Sequence, residues 1–175
     1  MEDYQVRQTM FRVREPVLFI DPVNPDISLP LETDNILLFI ELMLKNEGYV
    51  TANSVVVNVY LPSRLTPYTD KEWNPKPLEQ KQVEGCTKCN LITVNRDPIS
   101  LHPGQEVKIS GSNVRSSIGI RIEDMATGWN ENIQGYYEIY TENMTPKYGQ
   151  ITYEFANSNL KISTRKLPSL SYVPR

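Results

Sequence analysis

Two cysteines and one histidine form the pattern in this chain that is most typical of metal chemistry. Cys86 and Cys89 are separated by two residues, and His102 follows at the spacing between the second cysteine and first histidine of a zinc finger. Such a cysteine pair could also cycle between dithiol and disulfide. The chain has a single histidine, and Glu106 is a candidate for the fourth zinc ligand. Because structural zinc sites normally take four nitrogen or sulfur ligands, we expect residues 86–89 to form a turn with two ordinary thiols and no metal or cofactor.

The sequence also lacks a recognisable set of catalytic residues. A catalytic His102 would need a nucleophile or an orienting carboxylate beside it, and no nucleophile motif is present. The acidic residues Glu123, Asp124 and Glu131 lack the Asp-x-Asp-x-Asp-Gly spacing of a calcium loop. The sequence also lacks a Walker motif, a glycine-rich phosphate loop and a dinucleotide-binding fingerprint. We therefore predict that the chain is not an enzyme.

Aromatic residues cluster in two polar stretches of the chain. Tyr68 and Trp73 lie in one long proline-rich stretch, and Trp129, Tyr136 and Tyr137 lie in or beside another. Tyrosine and tryptophan bury a large area and can also donate hydrogen bonds, so they suit protein interfaces and sugar stacking. Either tryptophan could instead be the buried indole of a β-sandwich core. We predict these five residues as the partner-binding site.

Length, charge and hydropathy limit the classes of protein to which this chain could belong. The chain has 175 residues and a net charge of −3, which argues against binding to nucleic acid. No run of the chain approaches the roughly 18 apolar residues of a membrane-spanning helix. The first residues are polar and mixed in charge, unlike a signal peptide, so we expect a cytoplasmic protein with reduced cysteines.

The strongest structural signal is the stretch 35–62, in which apolar side chains recur at every second residue. This spacing predicts two half-buried strands, and the Asn-Glu-Gly sequence at 46–48 predicts a hairpin turn between them. The residues 36–45 are also good helix formers, so a helix is the alternative for the first arm. The short connection to an unmistakable β-branched strand favours a strand.

Further short strands are predicted along the rest of the chain. They fall within residues 17–20, 88–96, 107–110 and 117–122, and a hairpin is expected from 136–141 and 150–155, joined by 146–149. The fold class is therefore all-β, an immunoglobulin-like antiparallel β-sandwich of seven to nine strands. We assign residues 1–15 to an N-terminal arm, 16–163 to one sandwich domain and 164–175 to a C-terminal extension.

Two short motifs carry a resemblance to a known family. The run LKNEGYVTANSVVVNVYLP resembles the immunoglobulin-like modules of bacterial surface proteins, in particular the cell-adhesion-related bacterial domain (CARDB). The sequence LHPGQ at 101–105 resembles the turn before a later strand in those modules. The resemblance covers roughly residues 31–155 and implies the sandwich fold. The matching residues of the first motif are Asn46, Gly48, Ala52, Val55, Val57, Val59, Leu61 and Pro62.

Three functions are compatible with this fold. We expect a non-enzymatic module that recognises a partner protein through sandwich loops or an edge strand. One alternative is carbohydrate binding, with Trp73, Trp129 or Tyr136 as a stacking platform. The other is a structural subunit of a phage particle or filament, in which the chain termini link neighbouring copies by self-assembly.

Overall fold

The computed structural model describes residues 15–29, 37–62, 65–69, 82–83, 86–91, 99–111, 116–121, 130–156 and 158–170. This part of the chain is all-β and contains no helix, so no helix in it could cross a membrane. Its strands are β1 (Leu18–Pro22), β2 (Asp26–Ser28), β3 (Leu37–Ile40), β4 (Leu42–Asn46), β5 (Ala52–Pro62), β6 (Thr66–Thr69), β7 (Gln82–Val83), β8 (Cys86–Leu91), β9 (Ile99–Leu101), β10 (Glu106–Ser110), β11 (Ser116–Arg121), β12 (Glu131–Thr141), β13 (Met144–Ala156) and β14 (Asn159–Leu167).

The largest sheet has eight strands in the described residues. Seven of them follow the order β2-β14-β13-β12-β5-β8-β7, and β9 also pairs with β5. The three long strands β12, β13 and β14 form an antiparallel meander, and β12 is hydrogen-bonded to β5 on its other side. Strands β5 and β12 are rich in valine, isoleucine and tyrosine, which fit a pleated, half-buried surface.

A second layer comprises two three-stranded sheets, β1-β4-β10 and β3-β11-β6. The two sheets use consecutive parts of the same chain segments, since β3 is followed by β4 and β10 is followed by β11. The hydroxyl of Ser110 bridges them, because it donates to the Ile40 carbonyl at 2.7 Å and accepts from the Ile118 amide at 2.9 Å. The layer therefore bends between β4 and β3 without leaving these buried backbone groups unpaired.

One hydrophobic core joins the two layers. In β3 and β4, Ile40, Leu42 and Leu44 are fully buried, and in β5 Val57 and Val59 are buried in the same cluster. The residues between them face outward and are only half-buried, as Val56 shows. The predicted alternation in both segments is confirmed, and the helical alternative for 36–45 is wrong.

The predicted hairpin between these segments is wrong. Strand β4 pairs with β1 and β10, whereas β5 pairs with β12, β8 and β9 in the large sheet. Period-two spacing shows which face of a strand is buried, but it does not show which strand lies beside it. Both apolar faces are buried because they meet across the core.

Three further boundaries differ from the predictions. The hairpin of β12 and β13 turns at Glu142 and Asn143, not at 146–149, because the strands continue past Pro146. The sequence Cys-Thr-Lys-Cys begins strand β8 and is not a turn. Strand β14 runs to Leu167, beyond the predicted domain boundary at residue 163. Fourteen strands in the described residues also exceed the expected seven to nine, because several extended runs divide into two strands.

The N-terminal segment adds strand β2 to the large sheet, next to β14. Strand β2 pairs with the first three residues of β14, and the Ile162 amide then donates to the Pro25 carbonyl at 2.7 Å. Farther along, the Lys166 ammonium lies 4.7 Å from the centre of the Phe19 ring in β1. Of the predicted arm 1–15 the structure describes only Glu15, whose carboxylate accepts from Lys147.

Candidate functional site

The structure distributes the five predicted binding residues differently from the sequence pattern. Trp73 and Trp129 lie outside the described residues. Tyr68 lies in β6, where its backbone pairs with Ser117 of β11. Tyr136 and Tyr137 lie in β12, in agreement with the predicted strand 136–141, but β12 begins at Glu131 and the two residues are not next to a loop.

Tyr137 belongs to the core. Its side chain is 2% exposed, and its hydroxyl group is hydrogen-bonded to the backbone of Ile20 in the opposite layer. Burial raises the pKa of Tyr137 to about 12. The ring lies over Gly149 of β13, where a Cβ atom would be 2.0 Å from a ring carbon. Tyr137 therefore joins the two layers and is not available to a partner at the surface.

Tyr136 points to the opposite face of β12. There it packs, half-buried, in a second apolar cluster with Tyr60, Cys86 and Leu170. This cluster lies outside the main core, on the outer face of the large sheet, because Tyr60 alternates with the core residues Val59 and Leu61. Tyr136 is thus the predicted site residue that the described structure places on an outer face.

A loop at one end of the molecule presents the most exposed large hydrophobic side chain among the described residues. The Tyr49 loop, residues 46–51, connects β4 to β5, and the Tyr49 side chain is 88% exposed. Val17, which precedes β1, is close to this loop and is 42% exposed. Binding residues concentrate on loops that a rigid scaffold holds in place, so Tyr49 is the candidate binding residue at this end of the molecule.

The buried side chain of Asn46 fixes this loop through hydrogen bonds. Its side chain is buried, with 1% exposure, and makes four hydrogen bonds to backbone groups. The carbonyl oxygen Oδ1 accepts from the amides of Val17 at 3.3 Å and Gly48 at 3.0 Å. The Nδ2 group donates to the carbonyls of Val50 and Leu101, both at 2.9 Å. One side chain thereby ties together the start of β1, the Tyr49 loop and the end of β9.

Gly48 is required by the close approach of these segments. A Cβ atom at this position would lie 2.6 Å from the backbone nitrogen of Val17, a distance that side chains do not tolerate. The Glu47 amide donates to the Val17 carbonyl at 3.0 Å, so two adjacent residues of the loop are held against the N-terminal segment. The backbone of the loop is therefore hydrogen-bonded both before and after Tyr49.

His102 lies at the same end of the molecule. Its ring nitrogen Nδ1 is 3.0 Å from the hydroxyl of Thr51, and its amide donates to the Gln105 side chain at 3.0 Å. The Gly104 amide donates to the Asn46 carbonyl at 2.8 Å. His102 therefore stabilises the contact between two loops, and these bonds assign it no catalytic partner.

The zinc hypothesis fails on geometry for the ligand set that includes His102. Leu101, the residue before His102, pairs with Ala52 at the start of β5, whereas Cys86 pairs with Pro62 at its end. Ten residues of strand span about 33 Å, far beyond the reach of a shared metal ion. The buried Cys86 thiol instead donates to the Gln134 carbonyl at 3.6 Å. No group of three metal-binding side chains occurs within the described residues.

The outer face of the large sheet carries a buried carboxylate surrounded by tyrosines. Glu138 is 7% exposed and accepts hydrogen bonds from the hydroxyls of Tyr60 and Tyr140 and, at 3.4 Å, from the Asn58 amide. Burial and the adjacent Glu138 carboxylate raise the pKa of Tyr140 to about 12. Because every donor is a neutral group, this cluster orders the tyrosines and shows no pairing typical of acid–base catalysis.

A shallow cleft of about 360 Å³ lies between β2 and β3. Its walls include the apolar side chains of Ile27, Leu38 and Phe39. The acidic side chain of Glu41 also lines it, and this carboxylate is paired with Lys108 at 2.8 Å. The cleft has the volume of a small-molecule site but lacks a buried, unpaired polar group that would select a ligand.

Comparison with known proteins adds one structural neighbour. No protein-family model matches the chain, and no curated protein matches it. Among solved structures, the chain is similar to AvmM, which catalyses macrocyclization in alchivemycin A biosynthesis. The two share 13% sequence identity, and the alignment covers 90% of this chain and 92% of that chain with a TM-score of 0.35.

This neighbour contradicts the prediction that the chain is not an enzyme, because AvmM is an enzyme. The prediction rested on missing sequence motifs, and it was wrong to exclude catalysis on that ground. Catalytic groups are brought together by folding and need no motif that is local in sequence. A TM-score of 0.35 carries no argument about the reaction, so no activity is transferred from AvmM to this chain.

Proposed function

We propose that this chain is an immunoglobulin-like module that binds a partner protein through the end of the sandwich carrying the Tyr49 loop. The observation that carries the proposal is an 88% exposed tyrosine on a loop whose backbone is fixed by the buried Asn46 side chain. Tyrosine is enriched among the residues that dominate binding energy at interfaces. A loop that is already ordered loses less conformational entropy on binding, which strengthens the complex.

The strand order supports the immunoglobulin-like part of the proposal. Strands β1, β4 and β10 follow the order A-B-E of such a domain, and β3, β11 and β6 follow the order B-E-D, with β3 adjoining β4 and β11 adjoining β10 in the chain. Strands β5, β12 and β13 follow the order C-F-G in the other layer, with β8 beside β5. The departure is β14, an additional strand next to β13. We extend the proposal to the CARDB resemblance, whose motif residues Asn46 and Gly48 build the Tyr49 loop.

The two alternatives have less support. Carbohydrate binding relied on Trp73 and Trp129, which lie outside the described residues, and on Tyr136, which is half-buried against Tyr60 and Cys86. A structural subunit relied on both termini, of which the structure describes only parts.

The proposal is tested by partner capture with matched variants. The immobilised full chain is exposed to extract of the source cell, and retained proteins are identified by mass spectrometry. Tyr49→Ser removes the exposed ring at the binding end, whereas Val23→Ser removes a 41% exposed apolar side chain just beyond the other end of β1. We expect a specific partner with the wild type and V23S, and its loss with Y49S at unchanged melting temperature. Equal capture by all three proteins would contradict the proposal.

A further inference from the structure

The outer face of the large sheet forms a tyrosine-rich surface across four neighbouring strands. We call it the tyrosine face and define it by two cross-strand rows of paired residues. The first row runs from β14 to β5 through Leu167, Tyr148, Glu138 and Asn58. The second row runs through Arg165, Gln150, Tyr136 and Tyr60. Cross-strand neighbours have side chains on the same side of a sheet, so both rows belong to one surface.

Polar groups beneath this surface hold the aromatic rings. Glu138 accepts from the hydroxyls of Tyr60 and Tyr140, and Gln150, which is 2% exposed, accepts from the Nε group of Arg165. These bonds hold the tyrosine rings in fixed positions within the face. Tyr136, Tyr140 and Tyr148 are half-buried and keep part of that surface accessible.

The C-terminal segment of the chain already contacts this face. Strand β14 ends at Leu167, and Pro168 cannot donate the next ladder hydrogen bond. Leu170 then packs against the cluster of Tyr60, Cys86 and Tyr136. Pro168 and Ser169 are exposed, so Leu170 is the contact that holds this short segment. The contacts show the chemistry that the face accepts, an extended segment with a leucine two residues after a proline.

We propose that the tyrosine face is a second docking surface, which binds an extended Pro-x-Leu segment of a partner protein in place of the chain's own tail. Aromatic surfaces accept proline-bearing segments well, because these segments are extended before binding and lose little entropy. In the described part of the tail, residues 168–170, the half-buried Leu170 packs against the face, and a segment with more contacts of this kind can displace it. The inference is independent of the Tyr49 loop, which lies on another part of the molecule.

The direct test uses the chain's own tail as a probe. A fluorescent peptide with the sequence of residues 167–175, LPSLSYVPR, is titrated with the full-length L170S variant, whose own tail no longer competes. We expect saturable binding, at least tenfold weaker binding to the wild type, and none by a peptide in which Leu170 is replaced by serine. The L170S/Y136S double variant should lose the peptide, whereas L170S/Y49S should bind it normally. The last variant separates this proposal from the proposed function.

Several outcomes would overturn the proposal. Folded L170S that does not bind the peptide, or equal binding by L170S and L170S/Y136S, would show that the face is not a docking surface. A wild-type dimer that is lost in L170S would show that the occupant is a second copy of the chain. If L170S fails to fold, Y136S in the wild-type background replaces it. Chymotrypsin should then cleave after Leu170 at least threefold faster than in the wild type, and an unchanged rate would overturn the proposal.

Discussion

The Tyr49 loop and the tyrosine face both present tyrosine, but different interactions hold them in place. At the loop, one buried amide side chain bonds four backbone groups, and the Tyr49 ring itself is 88% exposed. At the face, the buried Glu138 carboxylate bonds the hydroxyls of Tyr60 and Tyr140, and Leu170 packs against the cluster that contains Tyr60. The supporting bonds of the loop are therefore made by Asn46 and not by the exposed ring, whereas on the face the tyrosine hydroxyls themselves take part in the supporting bonds.

The largest effect is expected from removing the support of the loop. Asn46→Ala leaves two amides and two carbonyls without their side-chain partner in a partly or fully buried setting. Unsatisfied buried groups cost about 1–3 kcal/mol each, partly offset by water, so we expect a loss of about 3 kcal/mol in the free energy of unfolding. Urea denaturation measures it. Asn58→Ala, which removes a single 3.4 Å bond on the face, should lose less than about 1 kcal/mol and serves as the control.

Gly48→Ala tests the same loop through its backbone. The new methyl group would lie 2.6 Å from the Val17 nitrogen, so the loop or the start of β1 must move. We expect a loss of about 2 kcal/mol in unfolding free energy, typical of an overpacked site. The exposed neighbour Glu47→Ala should change stability by less than about 0.5 kcal/mol. A Gly48→Ala protein as stable as the wild type would show that the two segments are not packed this closely.

A smaller effect is expected at the face from Glu138→Gln. The substitution removes the charge that accepts from Tyr60 and Tyr140 and keeps one acceptor oxygen. Hydrogen bonds to charged groups contribute about 1.5–3 kcal/mol each and neutral ones less, so we expect a net loss of about 1–2 kcal/mol. The exposed Glu154→Gln on the same strand pair is the control. If both variants behave alike, Glu138 does not order the tyrosines.

Alkaline pH should affect the face and the core together. The pKa values of Tyr140 and Tyr137 are raised to about 12 from an ordinary value near 10. A tyrosine with a raised pKa stabilises the folded state fully below pH 10, and that contribution is lost as the pH rises towards 12. Unfolding midpoints in urea should therefore fall across this window. The loss should be smaller in Tyr140→Phe, and an equal loss would place the effect elsewhere.

The strands could be predicted from the sequence, but their partners could not. Alternation from Val55 to Val59 identified β5 and its buried face, and the same signal in Gly135, Tyr137 and Ile139 could have identified Tyr137 as a core residue. The hairpin prediction failed because alternation contains no information about pairing. A residue that faces the core looks the same in sequence whichever sheet it belongs to.

The supporting residues of both sites were missed for a related reason. Asn46 was interpreted as a turn former, which matches its position, but its bond to Leu101 spans 55 residues of sequence. Glu138 stands between aromatic residues in the sequence, and its burial depends on neighbours from β5 and β13. Long-range polar contacts of this kind depend on the fold and produce no local pattern in the sequence.

The smallest effect on stability, but a large effect on partner binding, is expected from Tyr49→Ser. The side chain is 88% exposed, so its removal should change the unfolding free energy by less than about 0.5 kcal/mol. Calorimetric titration of the captured partner should nevertheless show at least tenfold weaker binding than the wild type, which corresponds to about 1.4 kcal/mol. The V23S control should bind as the wild type does. Unchanged affinity of Y49S for the partner would contradict the central claim that this loop is the binding site.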